Sequence, residues 1–167
     1  MYVTTSRKPS LSTKILASNL ATFLNSKYEP RGKKSIEDVI SRADELGYTR
    51  IIIVSETKGN PNKLSFIDIS DEWRWVFPFI IFSVDTKFVH KKIGRINKEV
   101  EMIIKNSSKS EKAKRIADLF VIPEPTTDDT TKFIISDNSL LFKYKDKRMQ
   151  LKIKELLESR RSEEHSD

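Results

Sequence analysis

The sequence predicts an α/β (α+β) fold made of two similar halves, each a small sheet covered by helices. Stretches with apolar residues at helical spacing alternate along the chain with short β-branched runs. Only 4 of the 167 residues are glycine, which disfavours an all-β protein rich in tight turns. Hydrophobic residues make up 37% of the chain and charged residues 33%, which is enough for a core beneath a highly charged surface.

The first half opens with a short β-prone segment, residues 1–4, and a helix that begins at Ser10. The apolar positions of this helix fall on one face, as amphipathic packing requires. They are Leu11, Ile15, Leu16, Leu20, Phe23 and Leu24. We expect the helix to end near Asn25 and a loop to follow over residues 26–34.

A second helix and a buried strand come next. Ser35 with Asp38 three residues later is typical of a capping box, and Gly47 supplies the C-terminal stop. The β-branched run RIIIVS, residues 50–55, predicts a strand that is buried on both faces of a sheet covered by helices.

The loop that follows this strand has two interpretations. Gly-Asn-Pro at residues 59–61 predicts a turn before a strand over residues 63–70, which gives a β-α-α-β-β order. Alternatively, Glu56, Lys58 and Asn60 could line a ligand crevice beyond the carboxyl end of the strand. The turn is the favoured interpretation.

The pattern then continues with less regular strands. Residues 75–85 contain strand material on either side of Pro78, and residues 100–104 predict a further strand. A capping-box pattern at Ser108 predicts a helix that runs to Phe120.

The last third predicts a hairpin followed by a helix. Residues 132–136 and 139–145 predict two strands joined by a turn at Asp137-Asn138. Residues 148–161 predict a helix, and residues 162–167 a disordered tail.

Each half thus offers a helix followed by a pair of strands. We expect one domain over residues 1–161, built from halves at about 1–85 and 86–161 by duplication of one α/β unit.

Positive charge is concentrated in three blocks of the chain. The formal net charge is +7, and residues 1–34, 87–115 and 143–161 carry +6, +7 and +5, with acidic stretches between them. If the fold brings these blocks together, they would attract a polyanion such as nucleic acid through counterion release. The alternative is a lysine-rich, solvated surface.

Several classes of function lack their signatures. The chain has no cysteine, and its histidines, His90 and His165, are far apart, so the sequence predicts no metal site. Phosphate-binding glycine loops and nucleophile-elbow motifs are absent, so it predicts no catalytic residues and no cofactor. The longest apolar run, residues 75–82, is shorter than the roughly 20 residues of a membrane span. We expect no membrane contact and a cytoplasmic location.

The candidate RNA-binding residues are cations that cluster near the predicted helix starts and in two basic loops. A helix N-terminus offers backbone N–H groups and a positive dipole end, which suit a phosphate. The candidates are Arg7, Lys8, Lys14, Arg31, Lys33, Lys34, Lys58, Lys91, Lys92 and Arg95.

Three stretches together resemble the Brix-domain family of ribosome-biogenesis proteins, in particular its short archaeal members. They are TTSRKPS at residues 4–10, YEPRGKKSIEDV at 28–39 and SRADELGYTRIIIVSETKGNP at 41–61. The resemblance covers roughly the first 85 residues, and the basic segment at 90–96 fits less closely. The combination is specific, whereas each stretch alone would be weak.

The resemblance implies two similar α/β halves, each like the anticodon-binding domain of certain aminoacyl-tRNA synthetases. It implies a non-catalytic factor that binds rRNA or pre-rRNA and assists rRNA processing and subunit assembly, with ribosomal or other assembly proteins as partners. One departure is that residues 137–145 lack the G-P-R-F-like motif of larger relatives. The alternatives are a small nucleotide-binding protein or enzyme that uses the loop at 55–63, or a protein-interaction adaptor without RNA contact.

Overall fold

The computed structural model describes residues 1–84, 92–93, 102–106, 110–121 and 131–160. Within these ranges the chain forms three helices and nine strands, and all the strands join in one sheet. The helices are α1 (Leu11–Phe23), α2 (Ile36–Glu45) and α3 (Glu111–Ala117). The strands are β1 (Tyr2–Thr5), β2 (Lys27–Tyr28), β3 (Arg50–Thr57), β4 (Asn60–Asp68), β5 (Arg74–Val84), β6 (Met102–Asn106), β7 (Thr131–Ile135), β8 (Ser139–Tyr144) and β9 (Lys147–Leu157).

The strand order across the sheet is β2-β1-β3-β4-β5-β9-β8-β7-β6. In the first half β1 lies parallel to β2 and β3, and β3, β4 and β5 then pair antiparallel. In the second half β6 lies parallel to β7, and β7, β8 and β9 pair antiparallel. The antiparallel pair β5–β9 joins the two halves. The predicted mixed α/β class is confirmed.

The two faces of the sheet carry separate hydrophobic clusters, and β3 contributes to both. Ile52 and Val54 belong to the larger cluster, which includes residues of α1 and α3. Ile51 and Ile53 belong to the smaller cluster on the α2 side. The structure therefore confirms the prediction of a strand buried on both faces.

The helices begin at serine caps. Ser10 accepts a hydrogen bond from the Thr13 backbone N–H at the start of α1. At α2 both bonds of the predicted capping box form between Ser35 and Asp38, each at 3.1 Å. The cap of α3 is Ser110 rather than Ser108, because the Ser110 hydroxyl accepts from the backbone of the first helical turn at 3.0 Å. Ser108 lies outside the described residues.

The prediction of a helix over residues 148–161 is wrong, because this segment forms β9. Met149, Leu151 and Ile153 point into the larger cluster, while the residues between them are exposed. This alternation has the period of a strand, and β9 completes its hydrogen bonding by pairing with β5 and β8. The predicted tail at 162–167 lies outside the described residues.

Three local predictions also need correction. The turn between β3 and β4 consists of Lys58 and Gly59, which both have positive φ, and Asn60 and Pro61 already belong to β4. This is the conformation of a tight two-residue hairpin. β5 continues through Pro78, where the peptide bond is cis. The predicted loop over 26–34 contains the short strand β2.

The buried side chain of Arg50 ties the halves together away from the β5–β9 junction. Arg50 on β3 contacts Asp68 on β4 at 3.0 Å and donates to the Leu119 carbonyl beyond α3 at 2.8 Å. Hydrogen bonds from Ser70, together with the Arg50 guanidinium, lower the pKa of Asp68. The end of α3 is thereby fixed against the first half of the sheet.

Candidate nucleic-acid interface

The carboxyl ends of β1, β2 and β3 meet at one edge of the sheet, which we call the carboxyl edge. The Ser6 N–H donates to the Val54 carbonyl at 3.0 Å, so the chain beyond β1 runs beside the end of β3. The Glu29 N–H donates to the Val3 carbonyl at 3.1 Å, so the chain beyond β2 leaves at the same edge. Loops that lie beyond the carboxyl ends of neighbouring parallel strands are the usual place for ligand contacts in α/β sheets.

Ser10 fixes two of these loops to each other. Its hydroxyl donates to the Gly59 carbonyl at 2.7 Å, which joins the start of α1 to the β3–β4 turn. The exposed side chains of Arg7 and Lys8 precede this cap, and the exposed Lys58 lies in the turn beside Gly59. Cations that are far apart in the sequence are therefore held on neighbouring loops.

Glu56 belongs to the framework of this edge. Its carboxylate accepts from the Ser10 N–H at 2.9 Å and from the Thr13 hydroxyl. Burial favours the neutral acid, but the hydrogen bonds from Thr13 and Ser10 outweigh it and lower the pKa of Glu56. A carboxylate bound to the first turn of α1 is not available to line the ligand crevice considered above.

Arg31 is buried, with 1% of its surface exposed, contrary to the expectation that it faces a ligand. Its Nη1 donates to the Thr5 carbonyl at 3.1 Å and its Nε donates to the Lys34 carbonyl at 2.7 Å. Arg31 thus fastens the loop before α2 to the end of β1. Gly32 follows with a φ of +56°, and a Cβ there would meet no atom within 4 Å. The positive φ therefore explains why this residue is glycine, since no neighbouring atom is close enough to exclude a side chain.

The two lysines of the same loop differ in their availability. Lys33 is exposed, whereas Lys34 is half-buried and donates from Nζ to the Pro30 carbonyl at 2.9 Å. The base of the loop is braced by Arg42 on α2, whose Nε and Nη2 donate to the Glu29 carboxylate at 2.9 and 3.1 Å. This bidentate contact with Arg42 lowers the pKa of Glu29, which stays charged at neutral pH.

Acidic groups already occupy the first turns of both helices at this edge. Glu56 accepts from the Ser10 N–H of α1, and Asp38 accepts from the Ser35 N–H of α2. The hydrogen bonds with Ser35 lower the pKa of Asp38. The positive charge presented to a ligand therefore comes from the lysine and arginine side chains more than from the helix dipoles.

Lys14 and Lys92 lie along α1, away from the loops. Lys14 is exposed one turn beyond Ser10. Lys92 is exposed next to Ile93, whose N–H donates to Asn19 Oδ1 of α1 at 3.0 Å. The candidates Lys91 and Arg95 lie outside the described residues.

Sequence reasoning missed a second group of cations, on β8 and β9. Lys143, Arg148 and Lys152 lie on the sheet face opposite the larger cluster, and Lys154 is exposed at the β-bulge between Ile153 and Glu155. The signal that could have found them is the alternation M-Q-L-K-I-K at residues 149–154, which has the period of a strand and not of a helix.

A groove of about 480 Å³ lies elsewhere, between α2 and the β4–β5 connection. It is lined by Ile40, Ser41, Asp44, Ile69, Asp71, Glu72 and Trp73. The described part of the chain contains no group of three His, Asp or Glu side chains arranged to hold a metal ion. Nor does any helix in those ranges have the length and hydropathy needed to cross a bilayer.

Two solved structures carry the same architecture. A probable ribosomal biogenesis protein from Aeropyrum pernix superposes with a TM-score of 0.71 over 95% of both chains, at 20% identity. Mil, an archaeal Imp4-like protein, superposes with a TM-score of 0.65 over 95% of this chain and 100% of its own, at 22% identity. At such identities the likeness establishes the fold.

A sequence relative supplies the family resemblance. A probable Brix domain-containing ribosomal biogenesis protein of Thermococcus kodakarensis is 40% identical over 78 residues. The chain resembles Brix-domain proteins. The match to this Brix-domain relative covers 46% of the chain but only 38% of the relative's own length. No family model matches the chain.

Proposed function

We propose that this chain is a ribosome biogenesis factor of the Brix-domain type that binds pre-ribosomal RNA with its carboxyl edge. One observation carries the proposal: the loops beyond β1, β2 and β3 bring cations from three separate motifs to one edge. They are Arg7, Lys8, Lys33, Lys34 and Lys58. Such a cluster suits the phosphates of a nucleic acid, since each neutralised phosphate releases counterions.

The framework of hydrogen bonds supports a preformed site. Ser10, Glu56 and Arg31 use their polar atoms to hold the loops, and the exposed lysines are left to contact phosphate. Arg31 therefore positions the loop and is not one of the proposed RNA contacts. Lys14 and Lys92 would extend the contact along α1, and Lys91 and Arg95 remain candidates from the sequence.

These contacts would position RNA without making or breaking bonds. We infer a non-catalytic factor that needs no cofactor and that assists rRNA processing and subunit assembly by holding RNA strands. A cytoplasmic location and ribosomal or other assembly proteins as partners follow from the same proposal. The names of the relatives from Thermococcus and Aeropyrum, both described as probable ribosomal biogenesis proteins, support the assignment.

We also infer that the two halves, at about 1–85 and 86–161 of a single Brix domain, arose by duplication. Each half contains a parallel pair of strands with a helix between them in sequence, followed by two antiparallel strands. The shared order β-α-β-β-β supports this origin, with β2 and α2 as an insertion in the first half.

The test replaces three exposed cations of the carboxyl edge in Lys8→Gln/Lys33→Gln/Lys58→Gln. We expect affinity for a labelled 20-nucleotide RNA strand to fall. The slope of log affinity against log salt should decrease by about 2, or about 0.7 for each lost contact. Fluorescence anisotropy titrations at four salt concentrations measure both quantities.

A matched control removes the same charge from exposed cations elsewhere, in Lys27→Gln/Arg74→Gln/Lys114→Gln. This variant should retain most of the affinity and the slope of the unmodified chain. Equal affinity and slope for the edge variant and the control would contradict the proposed interface.

A further inference from the structure

A second basic surface lies on the second half of the sheet, separate from the carboxyl edge. Along β9, Arg148, Gln150, Lys152 and Lys154 are exposed, while Met149, Leu151 and Ile153 between them are buried. On β8, Lys143 lies directly opposite Arg148 and Leu141 lies directly opposite Gln150. We call this side of the two strands the outer face of β8–β9.

The charge of this face is one-sided. The paired positions on this face carry three cations, Lys143, Arg148 and Lys152, and one acid, Glu155, which lies opposite Ile81 of β5. Like charges placed directly opposite on neighbouring strands destabilise a sheet, and Lys143 and Arg148 form such a pair. A bound anion would relieve this repulsion.

The packing of the helices leaves this face uncovered within the described residues. α1 and α3 both contribute to the larger cluster, on the side of Met149 and Leu151. α2, which covers the opposite face, packs against the smaller cluster of the first half. The exposure of Arg148, Gln150 and Lys152 agrees with this arrangement.

The spacing of the cations suits an extended polyanion. Alternate residues of a strand are about 6.8 Å apart, so the outward side chains from Arg148 to Lys152 span about 14 Å. Gln150 and the hydroxyl groups of Ser139 and Ser83, which lie opposite Lys152 on the two neighbouring strands, add hydrogen-bonding groups between the cations. Such a row can follow a phosphate backbone but offers no aromatic ring of β8 or β9 on which a base could stack.

We propose that the outer face of β8–β9 is a second RNA-binding surface, which contacts the phosphate backbone independently of base sequence. It goes beyond the function proposed above, because it uses different residues in the other half of the chain. The row of cations on an extended strand favours the phosphate backbone of RNA as the occupant. Binding of an acidic protein segment instead is the other outcome that the test distinguishes.

The test neutralises this face in Lys143→Gln/Arg148→Gln/Lys152→Gln. At about 0.1 M salt, each lost phosphate contact should lower affinity for a 20-nucleotide poly(U) strand about fivefold, or on the order of 100-fold for three. The salt slope should fall by about 2. The thermal midpoint should stay equal or rise, since a repulsive cross-strand pair is removed and no buried group is changed.

Comparison with the edge variant separates the two proposals. A loss of affinity in the outer-face variant, but not in the Lys27→Gln/Arg74→Gln/Lys114→Gln control, supports the second surface whatever the edge variant does. If only the edge variant loses affinity, the second surface is overturned and the proposed function stands. If the outer-face variant binds poly(U) normally but no longer binds a poly-glutamate peptide, RNA is the wrong occupant.

Discussion

The two halves of the sheet share an order of strand pairing but differ in how their faces are covered. In the first half, helices lie on both faces of β3, and Arg50 through Val54 are all buried. In the second half, β9 buries one side and exposes the other. Among the described residues, one architecture therefore leaves a different surface in each half: loops at an edge in the first and an exposed sheet face in the second.

The two halves also share one hydrophobic core. The larger cluster runs from α1 through β3 and β4 to α3, β8 and β9, so it belongs to both halves. Phe23 of α1 and Phe142 of β8 lie 5.8 Å apart between ring centroids. The halves therefore differ at their surfaces while they share a core.

The largest expected loss of stability comes from a substitution in the shared core, at a residue of the second half. Phe133 is fully buried, and its ring lies 4.3 Å from Phe142 and 4.8 Å from Phe120 between centroids. Phe133→Ala should lower the free energy of unfolding by about 4 kcal/mol, because it leaves a cavity. Urea titration followed by far-UV circular dichroism measures the change.

Tryptophan fluorescence makes the same variant a test of the shared core. Both tryptophans, Trp73 and Trp75, belong to the first half, so a common core predicts that their transition shifts together with the circular dichroism. An unshifted fluorescence transition would mean that the halves unfold separately. Leu11→Ala, at a side chain that is 69% exposed, should change the free energy by less than about 0.5 kcal/mol.

The next largest loss of stability is expected when the polar contact between the halves, made by Arg50, is removed. Arg50→Met leaves Asp68 without its ion-pair partner and the Leu119 carbonyl without a donor. We expect a loss of about 3 kcal/mol in the free energy of unfolding, because an uncompensated charge stays largely buried.

An exposed pair in the second half serves as the control for Arg50. Arg115 and Glu158 make two hydrogen bonds, at 2.9 and 2.6 Å, but both side chains are about half exposed. Arg115→Met should therefore alter the denaturation midpoint only slightly. Similar shifts of the denaturation midpoint in Arg50→Met and Arg115→Met would show that burial of the Arg50–Asp68 pair does not increase its contribution to stability.

The smallest loss of stability is expected at the serine caps of α1 and α3, which occupy equivalent positions in the two halves. Ser10→Ala and Ser110→Ala each remove the serine that accepts from the first turn of a helix, and each should cost about 1 kcal/mol of stability. Ser10 also fastens the β3–β4 turn through the Gly59 carbonyl, whereas the Ser110 hydroxyl donates to Asp137 at the β7–β8 turn. RNA affinity should therefore fall in Ser10→Ala and not in Ser110→Ala, and an equal effect would contradict the role given to the carboxyl edge.

The parts of the fold that were predictable from sequence are those whose pattern depends on local neighbours. The predictions of the Ser35–Asp38 capping box and of the strand RIIIVS are confirmed, because each signal lies within a few consecutive residues. The helix prediction for β9 is wrong because its leucines and isoleucine also fit a helical stripe. The strands that pair with it, β5 and β8, lie elsewhere in the sequence and leave no local signal. The Gly-Asn-Pro signal placed the β3–β4 turn too late, since Pro61 can start a strand.

The candidate site was predictable only as a set of cations. No local pattern indicates that Arg31 is buried, because its acceptors include the Thr5 carbonyl, which lies beside it only in the folded sheet. A helix N-terminus favours an anion, but at α1 the Glu56 carboxylate, 46 residues away in sequence, already accepts from the Ser10 N–H. Long-range partners of this kind distinguish a framework residue from a contact residue.

The position of β9 has a consequence for how the chain is made. β9 is the last described strand in sequence, yet it lies in the middle of the sheet between β5 and β8. On a translating ribosome, residues 74–84 would have to wait for residues 147–157 before β5 gains its second neighbour. Such distant pairing slows folding and leaves an unpaired strand exposed during synthesis. The nascent chain, rather than the finished protein, is then the form most in need of protection from aggregation.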